Sequence, residues 1–197
     1  LTGADGSNTK FIGGVGNDDI TGGDFTDLFI GQRDEVDYSF DENDGASSGI
    51  TVDLSTGTII DGFNNTDTVS GIERVVGTNF ADSFIGSDTS ASGGVFNDFE
   101  FFVGLGGNDT IDGGLGRDSL SYARDAENGG TAGITVTFTG SDAGTAIDGF
   151  GDTDTFVNVD RVTGTNEADT FTGFSGFQQF FGLGGNDIFD GGSSTDE

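Results

Sequence analysis

Residues Gly13–Thr21 read GGVGNDDIT and residues Gly113–Ser121 read GGLGRDSLS. Both place two glycines, a spacer, a third glycine, one more residue and an aspartate in that order, with a large apolar side chain, Ile20 or Leu120, two residues after the aspartate. GLGGNDTID from Gly104 and GLGGNDIFD from Gly182 are near-matches. Glycine enters positive φ without steric cost, so such a stretch curls tightly and can point its carbonyl oxygens at one spot. The aspartate adds a hard, charged oxygen. The residues after it run out as a very short strand whose apolar side chain points inward, because side chains alternate at period two.

The same carboxylate-then-apolar order recurs along the chain: Asp27 with Phe29, Asp34 with Val36, Asp67 with Val69, Asp82 with Phe84, Asp154 with Phe156, Asp169 with Phe171 and Asp187 with Phe189. In several of these turns position four is Phe25, Phe80, Glu167 or Ser194 where the full motif has Gly. Longer stretches also read as strands: Ile50–Val52, Thr58–Ile60, Arg74–Val76, Ile134–Val136 and Arg161–Val162. Strands divided by turns every 8–12 residues or so fit an all-β architecture. No stretch carries a 3.6-residue apolar period, so no helix is expected.

A second period lies above the first. GITVDLSTGTIIDGF from Gly49 returns from Gly133 as GITVTFTGSDAGTAIDGF; Gly49 to Gly133 spans 84 positions and Asp67 to Asp154 spans 87, so the second copy carries a three-residue insertion. FFGLGGNDIFDGG from Phe180 opens a third copy of FFVGLGGNDTIDGG. The chain therefore divides into residues 1–100, 101–179 and 180–197, and fixed-period self-similarity is the sign of a solenoid or array. Starting at Leu1 and stopping inside another nonapeptide, it reads as a piece of something longer.

Composition demands a counter-ion. With 35 Asp and Glu against 6 Lys and Arg, the formal charge is −29 over 197 residues, and self-repulsion on that scale opposes a compact state. An apolar fraction of 32% with 38 Gly lies near the boundary of disorder, but 20 Phe argue for a core. The charge repels nucleic-acid phosphates and anionic membranes, so neither is an expected partner. No apolar run spans a membrane and no signal peptide opens the chain.

Calcium suits the turns. It takes six to eight oxygen ligands, about 2.3–2.6 Å away, in forgiving geometry. One turn supplies too few, so each ion would be shared between successive turns. The candidate ligands are Gly13, Gly14, Gly16 and Asp18; Gly22 and Asp27; Gly104, Gly107, Asn108 and Asp109; Gly113, Gly114, Gly116 and Asp118; Gly182, Gly185, Asn186 and Asp187; and, in the weaker copies, Asp34, Asp67, Asp82, Asp154, Asp169 and Asp196. Each nonapeptide is then half a coil, and two make one rung of a parallel β-roll, or β-solenoid, with Ca²⁺ in the turns between rungs.

On these motifs, and on TVDLSTGT, DTVSGIERVVGTNFADSFIGSD and GGLGRDSLSYA, the whole chain resembles the RTX (repeats-in-toxin, haemolysin-type calcium-binding) repeat regions of secreted bacterial proteins. The resemblance implies a right-handed parallel β-roll, export through a type I secretion channel, and folding outside the cell on meeting millimolar Ca²⁺. It implies an extracellular or cell-surface location but no single activity, since function lives in what is attached to the repeats. The favoured expectation is a structural segment of a stalk, surface layer or filament, self-associating with neighbouring repeats or copies. Two rivals are the carrier domain of an exported enzyme or toxin and an adhesin module that binds carbohydrate or a surface.

An enzyme is not expected: without His or Cys, Ser-His-Asp, Cys-His and His-ligated zinc sites are unavailable, and Asp53 of the first copy is Thr137 in the second. Phe99, Phe101 and Phe102, and Phe177, Phe180 and Phe181, read as core or as exposed aromatic platforms, with Phe102 expected to point outward from Phe99 and Phe101. Arg33 with Arg117, and Arg74 with Arg161, recur between copies and read as local charge compensation.

Overall fold

The computed structural model describes residues 1–4, 8–23, 33–87 and 99–192. Asp27 and Asp196 lie outside the described residues. The first strands are β1 (Lys10–Phe11), β2 (Asp19–Thr21) and β3 (Glu35–Asp37), followed by a 3-10 turn at Asp41–Asp44. Then come β4 (Thr51–Asp53), β5 (Thr58–Ile60), β6 (Thr66–Ser70), β7 (Arg74–Val76), β8 (Ser83–Ile85) and β9 (Phe101–Val103). The series restarts with β10 (Thr110–Asp112), β11 (Ser119–Ser121), a 3-10 turn at Asp125–Glu127, β12 (Thr135–Phe138), β13 (Gly144–Ile147) and β14 (Thr153–Val157). It ends with β15 (Arg161–Thr163), β16 (Thr170–Thr172), β17 (Gln179–Phe181) and β18 (Ile188–Asp190). Among the described residues there is no α-helix, and so none able to cross a membrane.

The strands form two sheets. A seven-stranded sheet, β1-β3-β7-β9-β11-β15-β17, is parallel throughout. An eleven-stranded sheet runs β18-β16-β12-β13-β14-β10-β8-β4-β5-β6-β2. From β2 onward the chain crosses between sheets at each connection, except that β4-β5-β6 and β12-β13-β14 stay in the larger sheet as antiparallel meanders.

These meanders depart from a purely parallel arrangement, and aspartates make the reversals. Asp53 Oδ1 accepts from Thr56 N and Ser55 Oγ at the first. Asp61 Oδ1 accepts from Phe63 N and Asn65 N at the second, and its counterpart Asp148 from the N–H groups of Phe150, Gly151 and Asp152. Such Asx turns let a side chain replace a strand's backbone partner. Asp53 is thereby a turn residue.

In the nine-residue rungs the middle residue of each strand faces between the sheets. Val36, Val75, Phe102, Leu120 and Val162 form one buried column in register, and Val52, Phe84, Ile111 and Phe156 another. Burial of a large apolar side chain is worth about 1.5–3 kcal/mol, so a one-residue slip would forfeit the core. Phe102 corrects one expectation: it is fully buried, while Phe101 takes the outer face. The reason is the carboxylate rule itself, with Glu100 setting the phase two residues before Phe102. In the next copy Phe180 packs against the core, and Phe177 and Phe181 are exposed.

Candidate metal centre

Because a carboxylate stands just before, or one residue into, twelve of the eighteen strands, the two edges of the molecule carry rows of acids. Along one edge run Asp18, Asp67, Asp82, Asp109, Asp154, Asp169 and Asp187, ahead of or within β2, β6, β8, β10, β14, β16 and β18. Backbone-to-carboxylate bonds join this row: Asp18 N to Asp67 Oδ1, Asp82 N to Asp109 Oδ1, Asp109 N to Asp154 Oδ1 and Asp169 N to Asp187 Oδ1, each 2.8–3.0 Å. All but Asp18 and Asp187 are buried, and among the described residues no Lys or Arg forms an ion pair with any of the row.

Glycine makes the inward position of these acids possible. A Cβ added at Gly104 would overlap Asp109 Oδ2, and the same holds for Gly77 with Asp82, Gly164 with Asp169 and Gly182 with Asp187. The aspartate folds back over the first residue of its own turn, five positions earlier. Left-handed φ then closes the turns at Gly14 (72°), Gly16 (125°), Gly107 (105°), Gly114 (81°), Gly116 (134°) and Gly185 (108°). Leu105 (70°) and Leu183 (63°) hold the position of Gly14. That conformation costs a non-glycine residue about 1–2 kcal/mol, and Leu105 offsets it by burial against Val76, Val103 and Phe150. Gly22 and Gly113 instead mark close backbone approach, donating to Ser70 O and Val157 O.

The full and degenerate turns differ in how the aspartate is satisfied. In GTNFAD, Asp82 Oδ1 accepts from Ile50 N (2.6 Å) and Thr78 Oγ1 (3.0 Å), and Oδ2 from Thr78 N (2.8 Å). Asp169 is held identically by Ile134 and Thr165. In the glycine-rich turns, Asp18 Oδ2 and Asp109 Oδ2 are buried with no hydrogen-bond partner. Asn17 and Asn108 serve as pins, their Oδ1 atoms accepting from Thr66 N and Thr153 N of the adjoining meanders.

Each meander adds further buried acid. Tyr38 donates to Asp67 Oδ2 (2.7 Å), with Asp41 and Asp61 alongside, and Tyr122 donates to Asp154 Oδ2 (2.8 Å), with Asp125 alongside and Asp148 next to both acids. Asp61 Oδ2 is capped by Asn65 Nδ2 (3.0 Å). Asp152 replaces that asparagine in the second copy, and Asp148 Oδ2 and Asp125 Oδ1 are left buried without a donor. Burial, helped by neighbouring carboxylates, pushes Asp109 up to about 10, Asp125 to about 8 and Asp154 to about 7, and burial pushes Asp82 to about 7. Among the described residues no Lys or Arg forms an ion pair with any of these four groups.

A second row follows the other edge: Asp34, Glu73, Glu100, Asp118 and Asp160, ahead of β3, β7, β9, β11 and β15. Asp34 N donates to Glu73 Oε2, Glu100 N to Asp118 Oδ1 and Asp118 N to Asp160 Oδ2. Asp34 is itself satisfied by Thr9 N and Gly23 N. Glu73, Glu100 and Asp160 escape a search for glycine turns, but each obeys the two-residue rule, preceding Val75, Phe102 and Val162. Asp41, Asp61, Asp125 and Asp148 are signalled only by comparing the copies, as Tyr-x-x-Asp and Asp-Gly-Phe.

Among the described residues no three Asp or Glu side chains form a ready-made metal group. An ion here would draw on turn carbonyls together with the aspartates, a hard oxygen set that suits Ca²⁺. The orphaned oxygens of Asp18 and Asp109 fit that requirement; the threonine-saturated Asp82 and Asp169 have less to offer. No protein-family model matches the chain, and no curated protein matches it.

Proposed function

We propose that this chain is a calcium-dependent structural repeat segment of a secreted bacterial RTX protein, a right-handed β-roll serving a stalk, surface layer or filament outside the cell, with no reaction of its own. The observation that carries the reading is the buried, donorless Oδ2 of Asp18 and Asp109 inside glycine-rich turns. Supporting it are the alternation of strands between two sheets and the largely buried acidic row, with which no Lys or Arg forms an ion pair among the described residues. Asp18 and Asp109, with the carbonyls of turns 13–18 and 104–109, would hold the ions, and Asp67 and Asp154 would orient them from the next rung. Bound Ca²⁺ would supply positive charge where the carboxylates otherwise repel, so binding free energy becomes folding free energy. Export as an expanded, metal-free chain follows from the same chemistry.

The test is chelation. Removing calcium with EGTA is expected to abolish the far-ultraviolet β signal, and restoring millimolar Ca²⁺ to recover it. An unchanged spectrum after chelation, together with no calcium heat by calorimetry, refutes the proposal.

A further inference from the structure

Four of the six basic residues of this strongly acidic chain gather at one place. Lys10, Arg33, Arg74 and Arg124, with Asn8, Thr9 and Glu35, line a cavity of about 320 Å³ beside β1, β3 and β7. Three of these cations share two carboxylates. Lys10 pairs with Asp37 (2.5 Å) and Glu35 (3.6 Å), Arg124 with Glu35 (2.8 Å) and Asp37 (3.2 Å), and Arg74 with Glu35 (3.4 Å). Arg33 makes no ion pair among the described residues; its guanidinium lies 3.6 Å from the centroid of Phe101. Arg74 approaches the same ring, at 5.4 Å.

Charge compensation alone does not explain this arrangement. Four cations line the cleft, three of them share two carboxylates, and Arg33 stacks on Phe101 without an ion pair among the described residues. Nε of Arg74 and Nε of Arg161 are buried without an acceptor. Guanidinium donors crowded against one another on an aromatic ring are stabilised when an oxyanion sits between them, as in bidentate recognition of carboxylate, sulfate or phosphate. Phe101 holds Arg33 in place from below, so little side-chain freedom remains to be lost on binding.

We infer that this cleft binds an oxyanion, a carboxylate or sulfate, carried on a body no larger than an acidic monosaccharide. Arg33 and Arg74 take the charge, and Asn8 and Thr9 meet the polar remainder at the rim. The site uses none of the residues assigned to calcium, so its failure and the failure of the calcium reading are separate results.

Isothermal titration calorimetry of the chain in calcium buffer tests it with three probes: sodium sulfate for the bare anion, sodium glucuronate for the same charge on a sugar, and glucose as the neutral control. Saturable binding in the millimolar range is expected for glucuronate, for sulfate or for both, with none for glucose; glucuronate the tighter identifies a sugar acid, and sulfate the tighter a free anion. Arg33→Gln and Arg33→Ala weaken binding by about tenfold, the loss of one charge-assisted hydrogen bond, while Arg117→Ala, outside the cavity, leaves it unchanged. Circular dichroism confirms that each variant folds as the parent does. No saturable heat with either anion, equal binding of glucose, or undiminished binding by both Arg33 variants overturns the inference.

Discussion

Replacing Asp109 with asparagine is expected to stabilise the chain without calcium and to lose most of that advantage when calcium is present. The carboxyl is buried between Asp82 and Asp154, its Oδ2 has no donor, and burial with those neighbours pushes it up to about 10 from an ordinary 3.8. At a working pH of about 7.5 the metal-free chain must protonate this group to fold, at a cost on the order of 5 kcal/mol at roughly 1.36 kcal/mol per pH unit. Asparagine has the same shape, keeps an oxygen for Asp82 N–H, and needs no proton. Allowing for relaxation around the charged form, Asp109→Asn stabilises the metal-free fold by about 2–5 kcal/mol. In saturating calcium most of that gain is cancelled, because a site filled at a hundred times its dissociation constant contributes about 2.7 kcal/mol that the variant forfeits. The assay is urea unfolding in EGTA and in millimolar Ca²⁺, followed in the near ultraviolet through Tyr38 and Tyr122, the only tyrosines of a chain without Trp and both fully buried. If calcium stabilises Asp109→Asn as much as the parent, Asp109 is not a ligand. If the variant is less stable in EGTA, the charge argument fails.

Tyr122→Phe strips the one side-chain donor from Asp154 Oδ2 and should lower stability by about 1–3 kcal/mol by urea unfolding; a neutral result would mean water replaces the hydroxyl. Gly104→Ala sets a methyl where Asp109 Oδ2 lies and should cost at least about 2 kcal/mol while removing one calcium equivalent by calorimetry; full stoichiometry would count against the turn. In EGTA, the raised carboxyls of Asp82, Asp109, Asp125 and Asp154 hold protons that the unfolded chain sheds above about 4. Their contribution is complete below that pH and is lost as pH rises through about 7 to 10, whereas the lowered carboxyl of Asp37, held down by Lys10 and Ser39, works the other way at the acid end. Metal-free melts at pH 5.5 should therefore exceed those at pH 8, and equal midpoints would refute the assignment.

How much of this was legible in the letters depends on whether the signal was local. The spacing of Asp18 and Ile20, or Asp109 and Ile111, states both the turn and the inward phase, so strand positions and core followed from single motifs. The meanders did not, because Thr58–Ile60 reads as a strand whatever its direction, and direction is decided by Asp53 and Asp61 bonding to backbone a few residues on. Phe102 lies on the inner face because Glu100, and not Phe99 or Phe101, sets the phase of that strand. Of the second acidic row, Asp34 and Asp118 are legible in the sequence, whereas Glu73, Glu100 and Asp160 lack glycine turns, though they set the same phase. The cationic cleft joins Lys10, Arg33, Arg74 and Arg124 from four separate segments; pairing of β1 with β3 and β3 with β7 gathers the first three, and Arg124 reaches Glu35 and Asp37 from the turn after β11.

The meanders also determine how copies would add. From β2 through β9 the larger sheet gains β2, β4, β5, β6 and β8, and the smaller gains β3, β7 and β9. At about 4.8 Å per strand, two extra strands make one face roughly 10 Å longer than the other for every copy. Two faces that share a core but grow at unequal rates cannot extend straight; a tandem of such copies bows or winds, with the longer face on the outside of the curve. Curvature would thus be written into each duplication, and a copy that lost its hairpin would straighten the array at that point.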